Sequence, residues 1–168
     1  MVQLISEDEI RARVESLADE ISEDYRNKEP VLIGILKGSF VFLADLSRRL
    51  SIGHSIDFMK VASYDEDPHE SGNVKLLMDL GRNISGRNVI IVEDIVDSGK
   101  TLNYIYHNLL VRQPRSLEIV TLLDKHECRE VDLNIRYVGF EIPNRFVFGY
   151  GLDDEEAYRG LPFIAYNN

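Results

Sequence analysis

The feature that most constrains this chain is the run from residue 88 to residue 110. An apolar β-branched segment, NVIIV, passes through VEDIVDSGKTL into the helical pattern TLNYIYHNLL. NVIIV has no polar face, so it predicts a strand covered on both sides, as in a parallel sheet. Its continuation places Glu93 and Asp94 at the carboxyl end of that strand and Asp97, Ser98, Gly99, Lys100 and Thr101 in the turn before a helix. Ligands of open α/β sheets bind outside such strand ends.

The rest of the chain repeats this alternation. Ser6 and Glu9 have capping-box spacing, and Ile10, Val14, Leu17, Ala18 and Ile21 recur at helical intervals, predicting a helix over about residues 7–25. VLIGIL, residues 31–36, reads as a buried strand, Lys37-Gly38-Ser39 as a turn, and FVFLADLSRRL, residues 40–50, as a helix. Strands are predicted at 56–64, 74–78, 116–124, 135–138 and 146–150, with Pro114 closing the helix that follows Thr101. Asp65 to Gly72 is acidic, contains Pro68 and has no apolar residue, so it predicts an exposed mobile loop. No repeat or linker divides the sequence. The expectation is one α/β domain over residues 1–168, with a mostly parallel central sheet flanked by helices.

Composition limits the partners. The formal net charge of -10 and pI near 4.8 argue against a broad nucleic-acid surface. A small anion reads local amides and cations instead. The longest apolar stretches are of strand length and the N-terminus lacks the pattern of a secretion signal, so no membrane association is expected. Cys128 is the single cysteine, which fits a reducing compartment and a cytoplasmic location.

The turn combines two chemistries. Gly99 permits converging backbone N–H groups, and Ser98 and Thr101 add hydroxyls, a phosphate cradle at a helix terminus. Glu93 and Asp94 would repel a phosphate unless they meet hydroxyl donors or a divalent cation. A ribose with a 5′-phosphate satisfies both halves, and magnesium is the natural ion for such ligands. GKT at Gly99–Thr101 invites a Walker A reading, but that motif requires glycine where this chain has Asp94. A dinucleotide fingerprint lacks its glycine series. An ordinary acidic turn with a helix cap remains the bland alternative.

VEDIVDSGKTL resembles the signature of the type I phosphoribosyltransferases, and specifically the hypoxanthine-guanine phosphoribosyltransferases, with similarity running from about Pro30 to Ala165. The resemblance implies the type I fold, including a small hood formed from terminal segments. It also implies transfer of a phosphoribosyl group from phosphoribosyl pyrophosphate to hypoxanthine or guanine, yielding IMP or GMP and diphosphate. Along the signature, Glu93, Asp94, Ile95, Val96, Asp97, Ser98, Gly99, Lys100 and Thr101 become substrate contacts, with Asp97 the acid/base at purine N7. Lys37 and Gly38 would hold pyrophosphate, with a cis bond before Lys37. Lys125 would donate to the purine 6-oxo group, Phe146 would stack on the ring, and the Val147 carbonyl would read its edge. Arg145 is carried over as a substrate contact and Arg159 as a pyrophosphate contact. Glu93, Asp94 and Asp153 would be Mg2+ ligands.

Ser63-Tyr64 would open a substrate-closing loop over 65–72, although Asp65, Pro68, His69 and Glu70 depart from the small residues common there. The resemblance further implies a homodimer or homotetramer. Its rivals are a xanthine-preferring enzyme and a nucleotide-binding RNA regulator of the same fold.

Overall fold

A computed structural model describes residues 1–63 and 74–168. The loop expected at 65–72, together with Tyr64, lies outside the described residues. The elements run β1 (Val2–Ile5), α1 (Glu7–Asp24), β2 (Val31–Leu36), α2 (Phe40–Arg49), β3 (Ser55–Ser63) and β4 (Val74–Met78). They continue with β5 (Asn88–Val96), α3 (Lys100–Leu110), β6 (Ser116–Asp124), a 3-10 turn (His126–Cys128), β7 (Tyr137–Glu141) and β8 (Ile164–Tyr166).

Helix α1 begins where Ser6 and Glu9 cap each other. The Glu9 N–H donates to Ser6 Oγ at 3.2 Å, and the Ser6 N–H donates to Glu9 Oε2 at 2.8 Å. The apolar stripe that follows is buried as its spacing requires. The main sheet has the order β4-β3-β2-β5-β6-β7, with β4 antiparallel to β3 and every other pair parallel.

Because neighbouring strand residues point to opposite faces, the continuous apolar runs feed two cores. Leu32, Ile90 and Val92 pack with α1 and α2, whereas Val31, Ile33, Val89 and Ile91 pack with α3. Each such side chain contributes about 1.5–3 kcal/mol when fully buried. The helices therefore clamp β2 and β5 from both sides and fix the ends of these strands.

The crossovers from β2 and β5 run in opposite directions along the sheet, β2 through α2 to β3 and β5 through α3 to β6. Between them the ladder stops at Gly34 and Val92, while β5 stays paired with β6 as far as Val96 and Asp124. A crevice opens at this switch point.

Four departures from the sequence reading follow from local geometry. Strand β5 continues past NVIIV to Val96, so the acidic pair lies on the strand itself. No strand forms at 146–150, where Gly149, Tyr150 and Gly151 have φ of 100°, 49° and 101° and only isolated bridges occur. Strand β7 lies at Tyr137–Glu141 rather than 135–138. The terminal strands β1 and β8, absent from the periodicity reading, pair antiparallel as a separate small sheet.

Candidate active site

At the switch point β5 loses its β2 neighbour, so Glu93 and Asp94 face the crevice. Glu93 is buried and Asp94 half-buried, and neither has a cation within 4.0 Å among the described residues. The Asp94 N–H donates to Glu93 Oε1 at 3.3 Å and the Ile95 N–H to Asp94 Oδ1 at 2.7 Å. Burial, followed by the charge of Asp94, pushes Glu93 well above the usual carboxylate range, and burial raises Asp94 as well. The two titrate as a pair that holds its proton too tightly. A ligand offering hydroxyl donors or a cation would relieve that condition.

Lys37 and Gly38 turn into the crevice from the end of β2. The Leu36–Lys37 peptide is cis. A Cβ on Gly38 would overlap the Asp94 carboxylate, and one on Gly151 would overlap the Gly38 carbonyl. Glycine at 38 is therefore what lets the chain pass so close to the acidic pair. Lys37 Nζ pairs with Glu156 Oε2 at 2.8 Å. Arg159 donates to the Gly151 carbonyl at 2.8 Å and pairs with Asp153 at 2.9 Å and Glu156 at 3.4 Å. Lys37, Gly38, Glu93, Asp94, Ile95, Thr101, Asp153 and Arg159 line one cleft of about 490 Å³, joined by Lys60 and Glu156.

The turn beyond β5 forms a second cup of about 130 Å³ lined by Glu93, Ile95 and Val96 to Gly99, with Thr101 and Leu102. Gly99 has φ 83°, and a Cβ there would sit 2.8 Å from Arg129 Cδ. The N-cap residue Gly99 has no side chain to offer and Ser98 Oγ accepts from the Lys100 N–H at 3.3 Å, while the helix start brings the positive end of its dipole to the cup. Lys100 projects outward to Glu130 at 2.7 Å.

Behind this cup the segment after β6 clasps the turn. The Lys125 N–H donates to the Val96 carbonyl and the Glu130 N–H to the Ser98 carbonyl, each at 2.9 Å. Arg129 Nε donates to the Asp97 carbonyl at 3.4 Å, and its guanidinium pairs with Asp124. Lys125 is buried and holds Asp97 Oδ2 at 3.1 Å, although the Asp97 side chain is 59 % exposed. Sequence reading found Lys125 and Asp97 but missed Asp124, Arg129 and Glu156. Only the folding back of the 3-10 turn brings Arg129 beneath Asp97.

The remaining expected contacts are less gathered. Phe146 is 63 % exposed, while Val147 is buried beside it. The Arg145 guanidinium stands over the Tyr166 ring, 4.5 Å from its centroid, and lines neither compartment. Ser63 ends β3.

The carboxylates fit magnesium in a particular way. No group of three or more His, Cys, Asp or Glu among the described residues is arranged to cage a metal. Magnesium bound through one or two carboxylates and substrate phosphates needs no such cage. The acidic pair, uncompensated and sharing its cleft with Asp153, offers hard oxygen donors of that kind.

Residues 4–155 match the family model described as a phosphoribosyl transferase domain. The chain is 52 % identical over 164 residues to the hypoxanthine phosphoribosyltransferase of Buchnera aphidicola, covering 96 % of this chain and 93 % of that protein. It is similar to a solved hypoxanthine-guanine phosphoribosyltransferase from Bacillus anthracis, with a TM-score of 0.95, 48 % identity, and coverage of 100 % of this chain and 99 % of that one. A Trypanosoma cruzi hypoxanthine phosphoribosyltransferase in complex with the product IMP gives 0.92 and 44 %, covering 98 % and 92 % of the two chains.

Proposed function

The chain belongs to the phosphoribosyltransferase family and has its type I fold, and from this we infer that it is a purine-salvage hypoxanthine/guanine phosphoribosyltransferase. Its substrates are phosphoribosyl pyrophosphate and a 6-oxopurine, and its products are IMP or GMP and diphosphate. The observation that carries the reading is the joining of two compartments at one strand end. The acidic pair and the Lys37–Arg159 cations line one, and the Asp97–Thr101 cup forms the other.

In this reading the cup takes the 5′-phosphate on backbone amides and the Ser98 and Thr101 hydroxyls. Glu93 and Asp94 accept the ribose hydroxyls and so fix the sugar. Lys37 and Arg159 exchange part of their pairing with Glu156 and Asp153 for the diphosphate. The glycosidic C1–O bond breaks with its electron pair leaving on diphosphate, and purine N9 forms the new bond to C1. Asp97 accepts the proton at N7, and the cations oppose the charge growing on the leaving group.

Lys125 has three N–H donors and so can keep Asp97 while donating to the 6-oxo group. Adenine offers an amino donor at that place, leaving the buried ammonium facing a like group. Phe146, exposed and unpacked, is available to stack on the ring. Glu93, Asp94 and Asp153 would hold magnesium, which would supply further neutralisation of the diphosphate charge. The same reading makes the chain a cytoplasmic homo-oligomer. Among the described residues no helix is long and apolar enough to cross a membrane.

The test is diphosphate release from phosphoribosyl pyrophosphate with magnesium and, in parallel, hypoxanthine, guanine, xanthine or adenine. Turnover with hypoxanthine or guanine and little with adenine is expected. Silence with all four bases contradicts the enzymatic reading, and preference for xanthine reassigns the substrate.

A further inference from the structure

The amino end of the sheet, opposite the transferase cleft, carries a basic hollow that the proposed reaction does not use. The loops before β2, β5 and β6 meet there around a cleft of about 500 Å³. They are tied into one surface. The Arg115 N–H donates to the Arg87 carbonyl at 2.8 Å, Asn88 Nδ2 to the Lys28 carbonyl at 3.2 Å, and Ser116 Oγ to Asn88 Oδ1 at 2.7 Å. Arg87 Nη2 reaches the Glu29 carbonyl at 3.4 Å.

This surface gathers cations in a chain whose net charge is -10. Lys28, Arg87 and Arg115 all line the cleft, and none has a carboxylate within 4.0 Å among the described residues. Arg136 differs, because Asp24 at 3.2 Å and Glu118 at 3.7 Å hold it. Glu118 is the one carboxylate in the lining.

Tyr25 adds an independent sign. It lines the cleft, is only 3 % exposed, and its hydroxyl is buried with no hydrogen-bond partner among the described residues. Lys28 Nζ and Arg136 Cζ stand 5.7 and 5.9 Å from the centroid of its ring. Three cations gathered with Glu118 as the one carboxylate in the lining, itself held by Arg136, repel one another, and an unpaired buried hydroxyl is costly. An anion that also accepts hydrogen bonds relieves the repulsion. Arginine forks suit the oxygens of a phosphate, and the hollow has room for more than a bare ion.

We propose that this hollow binds a small phosphate-bearing anion through Lys28, Arg87 and Arg115, at a site separate from the transferase centre. Strand β5 spans nine residues from Asn88 to Val96, eight steps along the chain. At about 3.3 Å per residue that is roughly 26 Å. The two sites can therefore be read separately in one protein.

The experiment is a titration of the isotopically labelled full chain with inorganic phosphate and, separately, ribose 5-phosphate, followed residue by residue by amide NMR. Saturable shifts at Lys28, Arg87, Arg115 and Ser116 are expected. They weaken by about tenfold or more in Arg87→Gln/Arg115→Gln, while the shifts at Ser98–Thr101 and turnover measured without added phosphate stay unchanged. Saturation with ribose 5-phosphate alone identifies an ester ligand, and saturation with both identifies a general phosphate site. Shifts confined to Ser98–Thr101, non-saturating shifts, or a response that survives the double substitution would overturn the proposal. So would cluster shifts that follow protein concentration in place of phosphate, which mark contact with a second copy. Should the double variant fail to fold, Arg115→Gln alone decides between the same outcomes, because residue 115 is tied to Arg87 through its backbone N–H, which the substitution keeps. These amide readouts do not depend on which base the transferase accepts.

Discussion

The carboxylates at the end of β5 and those around the following turn face opposite electrostatic circumstances. Glu93 and Asp94 are crowded together without a close cation, and burial holds both above their ordinary range. A few residues on, Asp97 is paired with Lys125 and Asp124 with Arg129. The first pair is unstable until a ligand arrives, whereas the second set is satisfied by the protein itself. In the function proposed here, that contrast divides one short signature between a receptor for the sugar and metal and, beside it, a positioned acid/base group.

Removing a cation from the satisfied set should have the largest effect on stability. Arg129→Ala strands Asp124 almost buried and releases the Asp97 carbonyl, so a loss of about 3–5 kcal/mol is expected in urea unfolding. A midpoint close to that of the parent would show that the turn does not depend on this pair. Gly38→Ala comes next, because its Cβ would overlap Asp94. Overpacking of this kind costs about 1–3 kcal/mol. The displaced carboxylate should also raise the KM for phosphoribosyl pyrophosphate more than that for the base. Equal changes in both constants would dissociate Gly38 and Asp94 from the sugar.

The crowded pair gives a prediction of opposite sign. Glu93 has its folded-state pKa raised, so the folded chain keeps a proton that the unfolded chain releases as pH rises past the ordinary carboxylate value. Stability falls across that window and remains lowered above the raised pKa. Glu93→Gln should therefore melt higher than the parent at neutral pH, by about 2–4 °C for each kcal/mol relieved, with the gain shrinking towards pH 4. A gain independent of pH, or a loss at neutral pH, would contradict the crowding. The smallest effect is expected at Glu156→Gln. That residue and its partner Lys37 are 69 % and 50 % exposed, so solvent screens the pair and the melting temperature should stay close to that of the parent.

Much of this arrangement is legible in the sequence because it is local. Ser6 and Glu9 declare the start of α1, and the apolar runs of β2 and β5 declare strands buried on both faces. VEDIVDSGKTL declares both the crevice and the family. What escapes is contact between distant segments. Nothing local marks Arg129 as the support of Asp97, nor pairs β1 with β8. Three basic residues scattered at 28, 87 and 115 join only when parallel strands bring their preceding loops together. The strand expected at 146–150 failed for a related reason. Its apolar alternation is sound, but Gly149 and Gly151 take positive φ to pack against the Phe163 and Gly38 carbonyls.

The division of labour between the two sets is tested most directly by steady-state kinetics of Asp97→Asn, with phosphoribosyl pyrophosphate and hypoxanthine titrated separately. Asparagine keeps the size and the hydrogen-bonding oxygen of residue 97 and removes its basicity. A fall in kcat of about 100-fold or more, with the KM for phosphoribosyl pyrophosphate nearly unchanged, is the expected result. An unchanged kcat, or a defect confined to phosphoribosyl pyrophosphate binding, would contradict the assignment of Asp97 to the base.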